Sequence, residues 1–374
     1  MKSIEKELKK CKFHPVCMLL MLFISYTSFS QRYISGCVTD AEDGNSIPAV
    51  TVFIANTTAG ITTDLEGNYR LKIPGEGSYR LVISHVGYQS VSMEIKPGKN
   101  SVEFNVALQI QELDEVAVSA GIRFRPKDIN LFWTTVFGRN PSPRTIRTTN
   151  PEVVYYYYNA ETRILKVICR EPLQIVNYET GYHINLILNH FIHDYRTGVT
   201  DWSYQYVFTE LEPATDRQKK SWEKKRKEVY DVSISKFIKS LYNNSLLNDG
   251  FVLATLRETS NPRIPFQITL LNSDNKLLTN SDDNSKTLNL SDERILLICY
   301  GRPVAEYDLT MLERAQISGS GLFRNMLLGD SIRVFPDGTY ANQLHMSPVN
   351  LSKTLLGLSM RLPVEYIPEE SISY

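Results

Sequence analysis

Short alternating stretches separated by turn-forming residues dominate the chain between residues 33 and 108. Apolar and polar side chains alternate in six of these stretches, which cover residues 33–39, 49–55, 69–73, 79–84, 91–95 and 102–108. The breaks between them are rich in residues that tolerate tight turns, as in Asp43-Gly44-Asn45 and Glu66-Gly67-Asn68. Since a period of two puts alternate side chains on one face of a strand, the spacing predicts an antiparallel β-sandwich over residues 31–112.

The first thirty residues have the three parts of a secretory signal peptide. Five lysines come before residue 13, nine apolar residues follow at 16–24, and Ser28 and Ser30 provide small side chains before Gln31. Nine apolar residues are far fewer than the roughly 20 that a membrane-spanning helix needs. We therefore expect residues 1–30 to be removed, with export to the periplasm or to the outer-membrane and cell surface, and no membrane span in the mature chain.

The balance of charge narrows the class of partner that the chain could bind. The chain has 41 basic and 41 acidic residues, which gives no support for a nucleic-acid binder. We expect a partner from the envelope, either a protein or a glycan.

Without the signal peptide an odd set of cysteines remains, Cys37, Cys169 and Cys299, so at most one disulfide can form. Their apolar, alternating surroundings favour buried free thiols. A disulfide among them and a lipid on Cys37 stay open.

Several ordered motifs in residues 36–88 resemble one known module. They are Gly36-x-Val38-x-Asp40, Ile47-Pro48-x-Val50-x-Val52, Thr58-x-Gly60-x-x-Thr63-Asp64-x-x-Gly67-x-Tyr69-x-Leu71 and Leu81-x-x-Ser84-x-x-Gly87-Tyr88. Together they resemble the carboxypeptidase-like regulatory domain, a transthyretin-like sandwich found at the start of many Bacteroidetes envelope proteins. The resemblance implies a fold and an envelope setting. It implies no activity, since this module is the non-catalytic part of the enzymes that carry it.

The sequence contains none of the common catalytic motifs that would assign the chain to an enzyme class. The sequence has no His-x-x-Glu pair and no His-Glu-x-x-His helix, which a zinc peptidase would need. It also has no Gly-x-Ser-x-Gly elbow and no phosphate-binding loop. We therefore expect a protein that is not an enzyme and that needs no cofactor or metal.

The segment that follows the sandwich has a second resemblance. It is similar to the stretch that joins this same domain to the plug of TonB-dependent receptors, where energy-coupling proteins can capture it by strand addition. The residues of this possible partner-binding site are Leu113, Asp114, Glu115, Val116 and Val118. About 250 residues remain, too few for a 22-stranded transporter barrel. The segment is therefore either a simple linker or a site of capture.

Residues 113–150 contain Pro126, Pro141 and Pro143 and are predicted to form an extended connector. Residues 151–374 are predicted to form a β-rich α+β domain. Its clearest strand puts five apolar side chains on one face, namely Tyr182, Ile184, Leu186, Leu188 and Ile192. His183 and His193 would share the opposite face roughly 33 Å apart, so they could not chelate one metal ion.

A helix is predicted near residues 216–243, with Thr215 or Asp216 as its N-cap. Its apolar positions recur at helical spacing: Trp222, Val229, Tyr230, Ile234, Phe237, Ile238 and Leu241. Four lysines fall on the other side, Lys220, Lys224, Lys225 and Lys227. They form either a solvated face or an anion-binding face.

The second region resembles the C-terminal region, of no assigned activity, of Bacteroidetes proteins that begin with the same sandwich. The motifs that carry this resemblance include Trp222-x-x-x-Arg226-x-x-x-Tyr230 and Leu362-Pro363-x-Glu365-Tyr366.

The fold class expected from these patterns is mainly β. An N-terminal transthyretin-like or Ig-like sandwich is followed by a β-rich α+β region with one long helix. The expected function is non-catalytic binding or scaffolding in the envelope. Two alternatives remain: an accessory of TonB-dependent uptake, and a hydrolase of unfamiliar type.

Overall fold

The computed structural model of this protein describes most of the chain beyond residue 30. The described residues are 31–98, 101–111, 125–138, 145–258, 266–271, 278–281, 284–289, 295–313, 323–328, 331–341, 345–348 and 357–369. Both the predicted signal peptide and the predicted capture segment at residues 113–118 lie outside them, so these two expectations stay predictions. In the described part of the chain, no helix combines the length and the apolar character needed to cross a membrane.

Eight short strands form the N-terminal unit. They are β1 (Tyr33–Asp40), β2 (Thr51–Ile54), β3 (Gly60–Thr62), β4 (Asn68–Lys72), β5 (Tyr79–Ser84), β6 (Val91–Ile95), β7 (Ser101–Glu103) and β8 (Val106–Leu108). One sheet has the order β4-β1-β7, with β8 also paired to β1, and the other has the order β3-β2-β5-β6. Ile34, Val52 and Leu81 belong to one buried cluster with side chains from both sheets. The predicted sandwich is confirmed, but it is not wholly antiparallel, because β1 pairs in parallel with both β7 and β8.

The turn at residues 64–67 shows why glycine stands there. Gly67 has a φ of 75°, and an added Cβ would collide with the carbonyl oxygen of Val38. The close approach is also a hydrogen bond, because the Val38 amide donates to the Gly67 carbonyl at 2.9 Å. A side chain at position 67 would therefore strain the backbone and also separate the two segments.

Residues 126–137 correct one prediction, because they form a helix, α1 (Pro126–Phe137), in the stretch predicted to be an extended connector. Pro126 stands at the start of the helix, where its missing N–H has no intrahelical partner to lose. Phe132 and Val136 are fully buried in the core of the second region. Proline at this position thus begins a helix, and the extended interpretation of this stretch was wrong.

The second region begins with a six-stranded sheet. Its strands are β9 (Ile146–Thr148), β10 (Val154–Asn159), β11 (Ile164–Cys169), β12 (Leu173–Asn177), β13 (Tyr182–Asp194) and β14 (Val199–Glu210). The order is β10-β11-β13-β12-β9, and β14 pairs with the whole length of β13 from Tyr182↔Glu210 to Asp194↔Val199. β14 has only β13 as a strand neighbour in the described sheet, so its other edge is open to contacts from elsewhere.

A bulge in β13 overturns the predicted assignment of faces near its end. The register shifts between Leu188 and His190, and from there Phe191 and His193 face the core while Ile192 is 39% exposed. One extra residue in one strand reverses the alternation. The prediction was right for Tyr182, Ile184 and Leu186 but wrong for Ile192 and His193.

The helical segment is present but divided. The N-cap of α2 (Asp216–Tyr230) is Thr215, one of the two predicted candidates, and its side chain accepts a hydrogen bond from the Gln218 amide. α3 (Ile234–Tyr242) begins at a second N-cap, Ser233, which accepts from the Lys236 amide. α4 (Leu246–Asp249) follows. The single long helix is therefore corrected to two, because the serine provides a new helix start within the apolar pattern.

The remaining elements build two more sheets. The strands are β15 (Phe251–Glu258), β16 (Phe266–Leu270), β17 (Leu278–Asn280), β18 (Lys286–Asn289), β19 (Ile295–Cys299), β20 (Phe323–Leu328), β21 (Ser331–Val334), β22 (Tyr340–Ala341) and β23 (His345–Pro348), with α5 (Glu306–Glu313) after β19. The sheet orders are β16-β15-β19-β20-β23 and β17-β18-β21-β22. Side chains of α3 pack with both sheets in one buried cluster.

The three cysteines in the described part of the chain are free. Cys299 is buried, whereas Cys37 and Cys169 are half-buried. Burial raises the pKa of the Cys169 thiol to about 12. Its thiolate, the reactive form, is therefore scarce at neutral pH.

Two partly or fully buried histidines should make the stability of the protein depend on pH. Burial lowers the pKa of both His183 and His193 below the ordinary value of about 6.5 that the unfolded chain retains. Below that value the unfolded state binds more protons, so the free energy of unfolding falls as the pH falls. We expect the melting temperature to drop between about pH 6.5 and pH 5, and to drop less steeply in His193→Asn. Thermal melts across this range test it, and an equal slope in both proteins would contradict it.

Candidate functional site

The outer face of the sandwich packs against the β13–β14 hairpin. Phe53 on β2 and Val82 on β5 are 1% and 0% exposed, and they form one cluster with Val207 on β14 and the partly buried Ile187 on β13. These side chains alternate with those that face the interior of the sandwich, so both faces of the β2–β5 pair are buried. The two units are joined by an apolar contact.

Backbone hydrogen bonds extend this contact along the open edge of β14. The Asn56 amide donates to the Tyr206 carbonyl at 2.8 Å, and the Phe208 amide donates to the Thr57 carbonyl at 2.9 Å. Asn56 has a φ of 66°, a left-handed conformation that asparagine tolerates better than most residues. The loop after β2 thus occupies part of the β14 edge and leaves residues 199–205 beyond it.

The turn before β22 binds the sandwich through one carboxylate. Asp337 Oδ2 accepts hydrogen bonds from the Gly77 amide at 2.8 Å and from the Tyr79 hydroxyl at 3.0 Å. Its Oδ1 accepts from the amide and the hydroxyl of Thr339. Burial and the neighbouring Asp337 charge raise the pKa of the Tyr79 hydroxyl, so it remains a donor. An added Cβ at Gly77 would collide with Thr339 and Asp337, so glycine permits this close approach.

A second carboxylate attaches the C-terminal segment. Glu365 Oε1 accepts from the Thr58 amide at 2.6 Å and from the Thr58 hydroxyl at 2.7 Å. The Val364 amide donates to the Asn56 carbonyl at 2.9 Å. Thr58 and Glu365 belong to two motifs that sequence analysis singled out separately, and the structure brings them together.

These contacts leave a cleft of about 640 Å³ where three parts of the chain meet. The sandwich contributes residues 55–56 and 78–80, and β14 contributes residues 201–204. The β21–β22 turn and β22 together contribute residues 338–341. A volume of this size lies within the range of about 300–1,000 Å³ typical of small-ligand sites.

An aromatic ladder on β14 borders the cleft. Trp202 and Tyr204 stack with their ring centroids 4.3 Å apart and an interplanar angle of 23°, and Tyr206 continues the ladder at 5.7 Å and 19°. Alternate positions of one strand share a face, which explains the regular stacking. Trp202 ends the ladder: it is half-buried, packs against the core of the second region, and is also among the residues that line the cleft.

The polar side chains around the cleft carry both signs of charge. His190 Nε2 lies 3.1 Å from Asp201 Oδ1, and the cross-strand neighbours Arg80 and Glu94 stand on the sandwich side. Donors and acceptors are therefore both available, beside an aromatic surface. Such a site can recognise a ligand that has an apolar face and many hydroxyl groups.

Three of the four predicted anion-binding lysines on α2 line one groove, whereas Lys225 pairs with acids outside it. Lys225 Nζ lies 3.6 Å from both Glu179 and Glu228. The other three, Lys220, Lys224 and Lys227, line a groove that also contains four carboxylates: Glu210, Glu212, Glu223 and Glu369. The groove is larger than the cleft, at about 870 Å³, but charges of both signs line it and its Trp222 and Tyr182 rings are buried. The anion-binding face stays a prediction.

The motif that includes Trp222 and Arg226 fastens α2 to the turn before β13. Trp222 Nε1 donates to the Tyr178 carbonyl at 2.8 Å, and Arg226 Nε donates to the Thr180 carbonyl at 2.6 Å. The Arg226 guanidinium lies 4.2 Å above the Tyr182 ring. Since Arg226 is only 7% exposed, its contacts hold the helix in place.

Sequence analysis did not single out the cleft residues Trp202, Tyr204 and Asp337. A signal for the ladder was present, because Trp202-x-Tyr204-x-Tyr206-x-Phe208 has the period of a strand with one aromatic face. No signal in the sequence indicated that the Asp337-Gly338 turn would contact the sandwich. In the described portion of the chain, no group of three histidine, cysteine, aspartate or glutamate side chains is arranged to hold a metal ion.

Comparisons with known proteins concern mainly the N-terminal unit. Residues 34–118 match the family model for the CarboxypepD_reg-like domain. Over 115 residues, 30% of this chain, the sequence is 34% identical to TonB-dependent receptor P3 of Formosa agariphila, of which it covers 11%. Over 94 residues, 25% of this chain, it is 36% identical to TonB-dependent receptor P26 of the same organism, of which it covers 9%. The match thus spans about a tenth of these curated relatives.

Solved structures give a weaker likeness. A type II cohesin–X-dockerin complex from Acetivibrio cellulolyticus matches with a TM-score of 0.18 at 20% identity, over 20% of this chain and 51% of that chain. A TM-score this low carries no argument about function. The family match agrees with the observed sandwich. Residues 34–118 are therefore a CarboxypepD_reg-like domain, joined in this chain to a second β-rich region.

Proposed function

We propose that this protein is a non-catalytic ligand-binding protein of the cell envelope, with its ligand held in the cleft between the sandwich and the second region. The observation that carries the proposal is the half-buried Trp202–Tyr204 stack at the border of a cleft with mixed polar groups. Aromatic rings that keep an accessible surface beside hydrogen-bonding groups are typical of recognition sites.

Three observations support the envelope setting. The N-terminal residues have the pattern of an export signal. The sandwich is a CarboxypepD_reg-like domain, and the relatives of this segment are named TonB-dependent receptors. Export and envelope location are both parts of the proposal. Fractionation of cells that express the full chain, with N-terminal analysis of the product, should find it in the envelope and beginning at Gln31.

Two carboxylates beside the cleft, Asp337 and Glu365, have structural roles, while Glu94 and Asp201 in its lining bond to Ser78 and His190. Asp337 accepts four hydrogen bonds, and one oxygen of Glu365 accepts two from Thr58. These acids hold the two units together. A general acid or base instead needs a carboxyl group within reach of the proton that it transfers.

The binding test uses the mature chain and envelope material. Trp202→Ala should weaken association at least about tenfold, because burial of an aromatic surface against a ligand contributes on the order of 1.5–3 kcal/mol. Tyr178→Ala is the control, since Tyr178 is also a partly exposed aromatic residue, at 38%, but lies away from the cleft. Equal association of both variants with wild-type strength would contradict the proposal.

A second candidate, accessory to TonB-dependent uptake, is favoured by one observation. The family match continues through residue 118, and both curated relatives are named TonB-dependent receptors. If residues 113–121 are only a linker, deleting them should leave association with the envelope intact. Loss of association in the deletion variant, with Trp202→Ala unaffected, would favour the uptake accessory.

A further inference from the structure

Next to the cleft lies a guanidinium group without a carboxylate partner among the described residues. The Nε atom of Arg361 is buried and has no hydrogen-bond partner in the described structure. The groups that interact with this side chain are the phenols of Tyr204, Tyr206 and Tyr340. Arg361 as a whole is half-buried, and an anion would offset the cost of desolvating its charge.

Arg361 borders a small cavity of about 60 Å³ that adjoins the cleft, since Asn56, Tyr340 and Val364 line both spaces. The start of α3, at Ser233 and Ser235, lies on the other side of this cavity. The first backbone N–H groups of a helix have no intrahelical partner, and the helix dipole favours negative charge there. The guanidinium and the helix start thus border the same cavity.

The nearby acids are engaged elsewhere. Asp337 accepts hydrogen bonds from the sandwich, and Glu365 bonds to Thr58 through Oε1. The Glu365 Oε2 atom has no hydrogen-bond partner in the described structure, but Lys239 lies within electrostatic range of both Glu365 and Asp337. Neither carboxylate forms an ion pair with Arg361 in the part of the chain that the structure describes.

We propose that the cleft binds an anionic saccharide, whose sugar ring packs against Trp202 and whose acidic group reaches Arg361. This inference rests on the proposed function and names its ligand. The ring surface of Trp202 suits the apolar face of a sugar, and Arg80, Glu94 and Asn56 offer donors and acceptors for hydroxyl groups. The forked guanidinium suits a carboxylate, sulfate or phosphate group on the same molecule.

The test is an array of oligosaccharides in matched pairs, probed with the mature chain. Each uronic-acid member stands beside its carboxyl-reduced form, each sulfated member beside its desulfated form, and each phosphorylated member beside its dephosphorylated form. We expect at least one acidic member to bind and its neutral partner to bind at least about tenfold more weakly. The pair that binds identifies the acidic group. Binding of neutral members alone would overturn the inference and leave the proposed function standing, whereas binding of no member would overturn both.

Variants of Arg361 test whether the preference for the acidic oligosaccharide depends on this side chain. Arg361→Gln should weaken binding of the acidic member about tenfold to a hundredfold, because it removes a charge-assisted contact, and should leave any binding of the neutral partner within about twofold. Arg361→Lys should recover part of the loss, since the charge remains while the fork is lost. Arg217→Gln, on the exposed surface of α2, is the matched control and should bind like wild type.

Loss of both acidic and neutral binding in Arg361→Gln would point to a distorted cleft. Arg361→Lys and a thermal melt then decide between the two explanations. If Arg361→Lys is folded, it should prefer the acidic member over its neutral partner more strongly than Arg361→Gln does. An equal or weaker preference would contradict the role of the charge. Equal affinity of wild type and Arg361→Gln for the acidic member would overturn the inference outright.

Discussion

Replacing Phe237 by alanine should lower the free energy of unfolding by about 3–5 kcal/mol. The side chain is fully buried on α3, and its ring centroid lies 5.7 Å from that of Phe251 on β15. Removing the ring leaves a cavity where the helix meets the sheets, and a packed interior closes such a cavity only in part. Urea denaturation of the mature chain, followed by circular dichroism, measures the loss.

Lys225→Ala on the neighbouring helix is the control. Its ammonium group lies 3.6 Å from Glu179 and from Glu228, at a surface where such pairs contribute little. The free energy of unfolding should therefore change by no more than about 0.5 kcal/mol. A larger loss in Lys225→Ala than in Phe237→Ala would show that the basic face of α2 is essential to the fold.

Asp337→Ala should detach the β21–β22 turn from the sandwich and cost about 2–5 kcal/mol, because the Gly77 amide and the Tyr79 hydroxyl both lose their acceptor. Asp43→Ala is a matched control. Both aspartates precede a glycine in a turn and accept a hydrogen bond from the amide two residues later, but Asp43 binds only within its own turn. Calorimetry should show a much smaller loss for Asp43→Ala.

Gly77→Ala tests the same contact from the sandwich side. The backbone at Gly77 is not in the left-handed region, so the substitution adds only a methyl group that collides with Thr339 and Asp337. It should reproduce the effect of Asp337→Ala, and the double variant should lose less than the sum of the two. Full additivity would contradict a shared contact.

That the sandwich folds independently of the second region stays a prediction. An isolated fragment of residues 31–112 should melt cooperatively with β-type circular dichroism. It should also expose Phe53 and Val82, which the second region covers in the whole chain, and therefore bind an apolar dye. A disordered fragment would show that the two regions need each other to fold.

Local sequence patterns predicted the strands and turns of this fold better than they predicted which elements pack against each other. The alternation in residues 33–108 and the turn at Gly67 follow from backbone and side-chain chemistry within a few residues, and the structure confirms the sandwich. The bulge before His190 could not be read from the sequence, because one extra residue changes the face of Ile192 without changing the composition. The helix that begins at Pro126 was missed, because proline suits the first turn of a helix as well as an extended chain, and only the burial of Phe132 in the structure distinguishes the two.

The candidate site could not be predicted because its parts are distant in sequence. Thr58 and Glu365 are 307 positions apart, and Gly77 and Asp337 are 260 apart. Thr58 and Glu365 stand in two separate motifs, and Gly77 and Asp337 stand in ordinary turn sequences, so no local pattern pairs them. The aromatic alternation around Trp202 was visible, but only the docking of the sandwich makes its edge the border of a cleft.

The central claim is that sandwich, hairpin and β21–β22 turn together bind one ligand. Hydrogen exchange of the mature chain, with and without the oligosaccharide that binds best on the array, tests it most directly. The account predicts that the ligand slows exchange together in residues 78–80, 201–204 and 338–341, the three segments that line the cleft. Protection confined to α2 and residues 366–369, or to one segment of the cleft alone, would contradict it.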